Sequence, residues 1–357
     1  MSGRSCFNVS AMIETNPIGV LLIQLGTPDS TKVSDVRSYL REFLSDPRVI
    51  DLPSVARALL LNAVILPFRP RRSAEQYKKI WNEKGSPLAI HTETLAREVQ
   101  EALGDSYRVA FGMRYKHPPI DLAVEELVEA NCERIVVLPL FPQYASASTG
   151  SALEEALRVI GGRWNVPDLA TVGDFYDDPG FIRSVDAVAR PYLASFQPDH
   201  VILSYHGLPQ KQIRKSDPTG QWCLQSETCC DRIVEANRYC YRAQCFATTR
   251  ALAKEMELSP GRFSTTFQSR LAGQKWIEPY TDVEIGALYD SGVRRLAVLT
   301  PSFTADCLET LEEIGIRLRK QWESLGGEDF LVVPCVNAAP LWVSAVSRLV
   351  RRAASCS

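Results

Sequence analysis

Histidine is scarce in this chain, at positions 91, 117, 200 and 206 only. His206 stands apart because it follows the apolar run VILSY and precedes Gly207-Leu208-Pro209, a tight-loop signature. An imidazole held there titrates near neutral pH and can take a proton or meet a metal, although a turn-capping histidine would leave the same pattern. Carboxylates form the second constellation. The stretch ADCLETLEEIGIRLRKQWESL predicts a helix from about Ala305. On it Asp306, Glu309 and Glu313, at i, i+3 and i+7, share one face beside a buried stripe of Leu308, Leu311 and Leu318. Compensation of the helix dipole accounts for Asp306 alone. Three carboxylates in line suit proton transfer or the passage of a divalent cation. The third feature is cysteine: of ten in the chain, Cys223, Cys229, Cys230, Cys240 and Cys245 crowd into one short stretch. No export signal is read in MSGRSCFNVSAMIETNP, so a cytoplasmic protein is expected and the crowded thiols read as ligands rather than disulfides. They lack the C-x-x-C spacing of zinc ribbons, which counts against structural zinc. Cys132, Cys307 and Cys335 read as free, buried thiols.

These groups need a scaffold that brings them to one rim. Strand-type runs recur at 18–25, 107–112, 134–140, 169–175, 200–205, 262–267, 294–300 and 330–336, mostly as continuous apolar segments expected when helices cover both sheet faces. Amphipathic helices alternate with them, one carrying Val33, Val36, Leu40, Phe43 and Leu44, another Leu122, Val124, Leu127 and Val128. The alternation predicts an α/β fold of two similar Rossmann-like domains, each a doubly wound, parallel four-stranded sheet. The expected division is a leader over 1–17, an N-terminal domain over 18–160, a C-terminal domain over 161–337 with a cysteine-rich insert at 219–244, and a last helix over 338–357. Gly161-Gly162 suits the hinge. Ligands of such sheets bind beyond the strands' carboxyl ends, where His206 and Pro301–Asp306 fall. No phosphate-binding glycine motif follows any strand. With 40 Lys+Arg against 42 Asp+Glu the net charge is −2, which argues against a nucleic-acid partner. The segment 52–72 is apolar but interrupted by Arg57 and Asn62, too broken to span a bilayer. It reads either as a buried helix or, with Arg69, Arg71 and Arg72 behind it, as a lip for an amphipathic ligand or an anionic membrane surface.

Longer strings carry a resemblance. GVLLIQLGTPDS, VRSYLREFLSDPRVIDLP, Tyr77 with Ile80-Trp81, GSPL at 85–88, FGMRYKHP, VLPLFPQYASASTGS, LSYHGLP, TTFQSRLAGQKWIEPYTD and PSFTADCLETLEEI occur in collinear order from about Gly19 to Val350. The chain resembles the ferrochelatase family, whose members insert ferrous iron into a porphyrin in the last step of haem synthesis. The resemblance implies a chelatase-like cleft between the two domains and a lyase releasing two protons as Fe²⁺ enters protoporphyrin IX. Coproporphyrin III is the alternative substrate, and another tetrapyrrole chelatase, such as a sirohydrochlorin enzyme, a more distant one. Those are typically shorter and lack the GSPL and PQY strings. A non-enzymatic iron–sulfur sensor or haem-binding module would instead make the cysteines its centre.

Residue by residue, the resemblance implies that His206 and Glu309 are catalytic and meet the substrate metal, and that Asp306 and Glu313 continue a proton or metal path. Leu25, Tyr77, Ser86, Arg114, Tyr115, Trp276 and Phe303 match porphyrin-cleft positions, and 52–72 matches the active-site lip, implying peripheral contact with the inner membrane. The expected state is a monomer or a homodimer. Most bacterial relatives pass from the equivalent of Asp217-Pro218 to the cysteine of CFATT with few residues between, so this chain carries an insert. Some ferrochelatases hold a [2Fe–2S] cluster through internal cysteines, and four thiolates are what such a cluster takes. The implied ligands are Cys223, Cys230, Cys240 and Cys245, with Cys229 the alternate.

Overall fold

The computed structural model describes residues 16–270 and 273–355. The expected leader therefore lies outside the described residues except for Asn16 and Pro17, as does Cys356. Among the described residues eight strands make two four-stranded sheets, every pairing parallel. β1 (Ile18–Gly26), β2 (Tyr107–Tyr115), β3 (Arg134–Pro139) and β4 (Asp168–Thr171) take the order β2-β1-β3-β4. β5 (His200–His206), β6 (Phe263–Gln268), β7 (Arg295–Leu299) and β8 (Asp329–Val332) repeat it as β6-β5-β7-β8. Val20–Ile23, Ile135–Leu138 and Ile202–Leu203 are fully buried, the condition that writes a strand as an unbroken apolar run. In this order the chain leaves β1 on one side and returns on the other through β3, and does the same around β5 and β7. Each sheet thus has a switch point, and His206 ends the strand at the second one. β2 runs on to Tyr115, so Arg114 and Tyr115 sit within the strand's last turn of pleat. The edge strands β4 and β8 stop earlier than their apolar sequences suggest, after Thr171 and Val332.

The helices are α1 (Val33–Ser45); α2 (Ser54–Leu59), a π-helical turn over Leu60–Ile65 and α3 (Leu66–Ile80), forming one run; α4 (Pro87–Leu103); α5 (Ile120–Glu129); and α6 (Ser151–Gly161) behind a π turn at Ser146–Gly150. They continue with α7 (Pro179–Phe196), α8 (Gln210–Lys215), α9 (Tyr241–Glu255), α10 (Thr281–Asp290), a π-helix over Glu309–Leu318 leading into α11 (Arg319–Leu325), and α12 (Pro340–Ser355). Trp342 of α12 is fully buried against Phe175 and Phe181, which fastens the C-terminal helix to α7 and α4 and joins both halves in one core. The helix expected from Ala305 starts later, at about Leu308. Asn337 Oδ1 accepts from the Asp306 amide (2.8 Å) and Thr310 Oγ1 from the Cys307 amide (3.0 Å), so side chains take the bonds an earlier first turn would have made.

Candidate active site

β5 delivers His206 to the rim, and the loop after it fixes the ring. His206 Nδ1 lies 2.7 Å from the Gly207 carbonyl, which can only accept, so Nδ1 carries the proton and Nε2 is the free lone pair. The His206 amide donates to Ser302 Oγ (3.1 Å), tying β5 to the loop after β7, and Phe303 of that loop stands edge-on to the imidazole at 6.3 Å. Gly207 is required here: a Cβ would come within 2.7 Å of the Gln268 carbonyl and 3.3 Å of the Trp276 ring.

Glu309 and Glu313 follow one another along the π-helix; Glu313 lies within electrostatic reach of the imidazole and of Glu309, and Glu309 in turn acts on Tyr39, Tyr77 and Arg69. Burial pushes the Glu313 carboxyl up; bonds from Ser269 (N 2.9 Å, Oγ 2.5 Å), the Arg317 charge and His206 oppose this, while Glu309 adds to it. Gln268, at the end of β6, donates to the Glu309 carbonyl (3.2 Å) and accepts from Ser204 Oγ (2.8 Å), so the helix start is pinned to the central strand. Glu312, only 1% exposed, points the other way and receives Lys79 (3.0 Å), Gln76 (3.2 Å) and Arg317 (2.8 Å). Those bonds dock α3 on the π-helix and bring Tyr77 to the same rim. Asp306 is turned outward from this line: Asn337 Nδ2 (2.7 Å), Thr310 Oγ1 (3.2 Å) and the Cys335 amide (3.2 Å) all donate to it. It also faces His91, whose imidazole burial drives below its usual range against the pull of that carboxylate.

An apolar wall faces the acid–base group. Tyr77 packs with Leu25, Trp81 and Leu308, while Trp276 is buried beside the His206 loop, where Pro209 bridges it. Phe303 packs on Leu88, and Ser86 accepts from Thr27 Oγ1 (2.8 Å). Two groups here were not singled out in the sequence. Tyr39 stands edge-on to Tyr77 (6.5 Å), and burial raises both hydroxyls, with the Glu309 charge adding to it. Arg69, from the basic trio behind the lip, turns inward; desolvation lowers its guanidinium, against the Tyr39 and Glu309 charges. Arg114 and Tyr115 belong to a separate buried junction. Asp46 Oδ2 accepts from Arg114 Nη2 (2.9 Å), the Tyr115 hydroxyl (2.8 Å) and Ser151 Oγ (2.5 Å), and Oδ1 from the Arg48 amide (2.7 Å). Outside the wall, Val55, Leu59, Val64 and Phe68 of the 54–80 run are 57–75% exposed while Leu61 and Leu66 are buried, so the lip presents one apolar face outward. Among the described residues no helix is long and apolar enough to cross a membrane.

The five crowded cysteines converge below the His206 loop, each buried. Cys229 and Cys230 Sγ are 3.7 Å apart, and the Cys223 sulfur nearby, with burial, pushes the Cys240 thiol up to about 12. The Cys245 thiol meets the Tyr241 hydroxyl, and burial raises it. Asp217 shapes the entry to this nest, accepting from Thr219 N and Oγ1 on Oδ1 (2.9 and 2.7 Å) and from Trp222 N and Cys223 N on Oδ2 (2.7 and 2.8 Å). Among the described residues no group of three or more His, Cys, Asp or Glu side chains is arranged to hold a metal ion.

A base and two carboxylates facing an apolar, aromatic cleft match what a porphyrin metallase needs, and comparison with known proteins agrees. The ferrochelatase family model matches residues 17–354. A ferrochelatase of Coxiella burnetii (strain CbuK_Q154) is 46% identical over 344 residues, 96% of each chain. One of Legionella pneumophila (strain Lens) is 47% identical over 332 residues, 93% of this chain and 98% of its own. Among solved structures, SirB from Bacillus subtilis with Fe³⁺ superposes with a TM-score of 0.52 at 15% identity, covering 76% of this chain and 92% of its own, a likeness of fold. The chain belongs to the ferrochelatase family and is an enzyme of metal insertion into a tetrapyrrole.

Proposed function

We propose that this ferrochelatase acts on protoporphyrin IX, with His206 as the base and Glu309 as its acidic partner. The observation that carries this is the His206–Gly207 bond, which occupies Nδ1 and leaves Nε2 as the ring nitrogen open to a substrate, with Glu313 in electrostatic reach beside the Trp276 and Tyr77 walls. The macrocycle must lose two pyrrole protons and buckle before Fe²⁺ can enter. Clamping between Leu25, Tyr77, Ser86, Phe303 and Trp276 supplies part of the distortion, typically ~1–5 kcal/mol drawn from binding. His206 Nε2 takes a proton, and Glu309 and Glu313 pass it outward, the raised Glu313 being suited to hold it. The balance is porphyrin plus Fe²⁺ giving iron porphyrin and two protons. Arg69, poorly hydrated among tyrosines, suits a propionate. Arg114 and Tyr115 support the wall through Asp46, and Asp306 steadies the loop that carries Phe303. The exposed lip face suits contact with an anionic membrane. The first sheet runs on to β4 (Asp168–Thr171), so a division of the chain between the two sheets falls after Thr171 rather than at 160/161. An anaerobic assay with Fe²⁺ and protoporphyrin IX beside coproporphyrin III tests the substrate. In the same assay His206→Ala is expected to lose metallation while its affinity for metal-free porphyrin holds; near wild-type insertion by that variant would refute the assignment.

The donor set also suits a [2Fe–2S] cluster, since soft, buried thiols with one cationic neighbour are what such a centre takes. Cys223, Cys230 and Cys240 form the linked set. The 3.7 Å Cys229–Cys230 contact supports Cys229 as the fourth ligand over Cys245, which is engaged with Tyr241. Bound there, the cluster supplies redox sensitivity and a structural tie, and metallation does not pass through it. Visible absorption with EPR after dithionite reduction tests it; a colourless, zinc-loaded protein would end the reading.

A further inference from the structure

An open surface depression of about 370 Å³ lies between the insert and the Trp276–Glu278 segment, bordered by Gln210, Arg214, Leu224, Glu227, Arg242 and Glu278. A side chain of its lining links the two. Arg242, in the first turn of α9, where a cation opposes the helix dipole, leaves that unfavourable place and lies over the Phe246 ring at 4.6 Å. Its Nη1 donates to Cys230 Sγ (3.1 Å), and its Nε and Nη2 both donate to the Glu278 carbonyl (3.3 and 3.2 Å). Glu278 is two residues beyond Trp276. The segment between them is stitched to the His206 loop: the Ile277 amide donates to the Leu208 carbonyl (3.0 Å), Gln210 Nε2 to the Trp276 carbonyl (3.2 Å), and the Gln210 amide to the Lys275 carbonyl (3.0 Å).

We propose that Arg242 is a positioning residue for the porphyrin wall, fastening the Trp276–Glu278 segment to the Cys230 sulfur so that the wall keeps the place porphyrin binding needs. All five donors of a guanidinium lie in one plane, so a single residue can hold a sulfur on one edge and a carbonyl on the other. The proposal rests on the reading of Trp276 as a wall of the cleft.

The test uses the full chain as isolated and metal-free protoporphyrin IX as probe, with the dissociation constant read from the Soret band and KM and kcat measured alongside. Arg242→Met keeps the stem over Phe246 and removes the donors. It is expected to weaken porphyrin binding about tenfold while kcat at saturating porphyrin stays within about twofold. Cys230→Ser is expected to weaken it in the same direction, with no further loss when combined with Arg242→Met. Arg242→Lys, which keeps the charge but not the two-edged grip, gives an intermediate value and serves where the methionine variant folds poorly. Unchanged porphyrin affinity in a folded Arg242→Met protein, or additive effects of the two substitutions, would overturn the clamp. A Trp276→Leu variant with wild-type affinity would instead overturn the wall reading, and the clamp with it.

Discussion

Asp46→Asn is the substitution for which the structure sets the largest and most specific consequence. Asp46 caps the end of α1, and three donors meet one of its oxygens: Arg114, Tyr115 and Ser151. Burial raises the carboxyl's pKa, but those bonds, the Arg48 amide and the Arg114 charge outweigh it, so the folded value lies below the usual one. The sign follows: a depressed carboxylate contributes stability that is fully present above the unfolded value near ~4 and is lost as pH falls through the folded value. An amide has nearly the same shape, but it presents an NH₂ to the same donors and leaves Arg114 without its buried counter-charge. Removing one partner of a buried, hydrogen-bonded ion pair costs about 3–5 kcal/mol. For a chain of this size, with an unfolding entropy of about 0.75 kcal/mol/K, that corresponds to a thermal midpoint lowered by about 4–7 °C. The assay is thermal unfolding followed by circular dichroism at pH 7 and at intervals down to pH 3. The variant should lie well below wild type at pH 7, and the gap should close with acid, because only the wild type loses a carboxylate. A variant as stable as wild type at pH 7, or a gap that is constant with pH, would refute the assignment of Asp46 as the charged centre of the junction.

Three further outcomes follow from the same kind of reasoning. Asp217→Asn removes an oxygen that accepts from the Trp222 and Cys223 amides, a loss of about 2–3 kcal/mol confined to the insert, so Cys223 should alkylate faster than in wild type; an unchanged rate would show that Asp217 does not order the nest. Burial raises the Glu313 carboxyl, so its contribution to stability is full below the unfolded value near ~4.3 and is lost as pH rises through the folded value. Glu313→Gln should therefore gain on wild type in thermal midpoint as pH rises above the unfolded value, and parallel pH profiles would contradict the raised value. Leu59→Ser combined with Phe68→Ser should reduce co-sedimentation with phosphatidylglycerol vesicles about tenfold or more, since each buried apolar side chain is worth ~1.5–3 kcal/mol, while the thermal midpoint holds; equal sedimentation would remove the membrane role of the lip.

What the sequence revealed and what it hid divide along a physical line. The strands were legible because burial on both faces writes a continuous apolar run, and His206 was legible because it ends such a run at a switch point. Groups whose role comes from tertiary partners left no local signal. Asp46 reads as an ordinary polar residue at a helix end until Arg114, Tyr115 and Ser151 arrive from β2 and α6. Tyr39 reads as a gap in the stripe of α1, Gln268 as a strand end, and Arg69 as one of three lip arginines. The π-helical segments at 60–65, 146–150 and 309–318 have no composition of their own, so the sequence could not distinguish them from α-helix. Asp306 shows the cost of that ambiguity. Helical spacing aligned it with Glu309 and Glu313, but the helix starts later and Asn337 draws its carboxylate away.

Spacing keeps the other two carboxylates together: residues four apart are neighbours on a helix of either width, so Glu309 acts on Glu313, which lies within reach of the His206 charge, while Glu312 between them is directed to Lys79 and Gln76. The same helix therefore does two jobs through adjacent residues. Glu312 locks the lip run to the second sheet, and Glu313 stays available to the imidazole. Gln268 completes the arrangement by holding the Glu309 carbonyl to β6. One run of acidic residues thus ties α3 to the second sheet through Glu312 and keeps Glu313 among Ser269, Arg317 and His206.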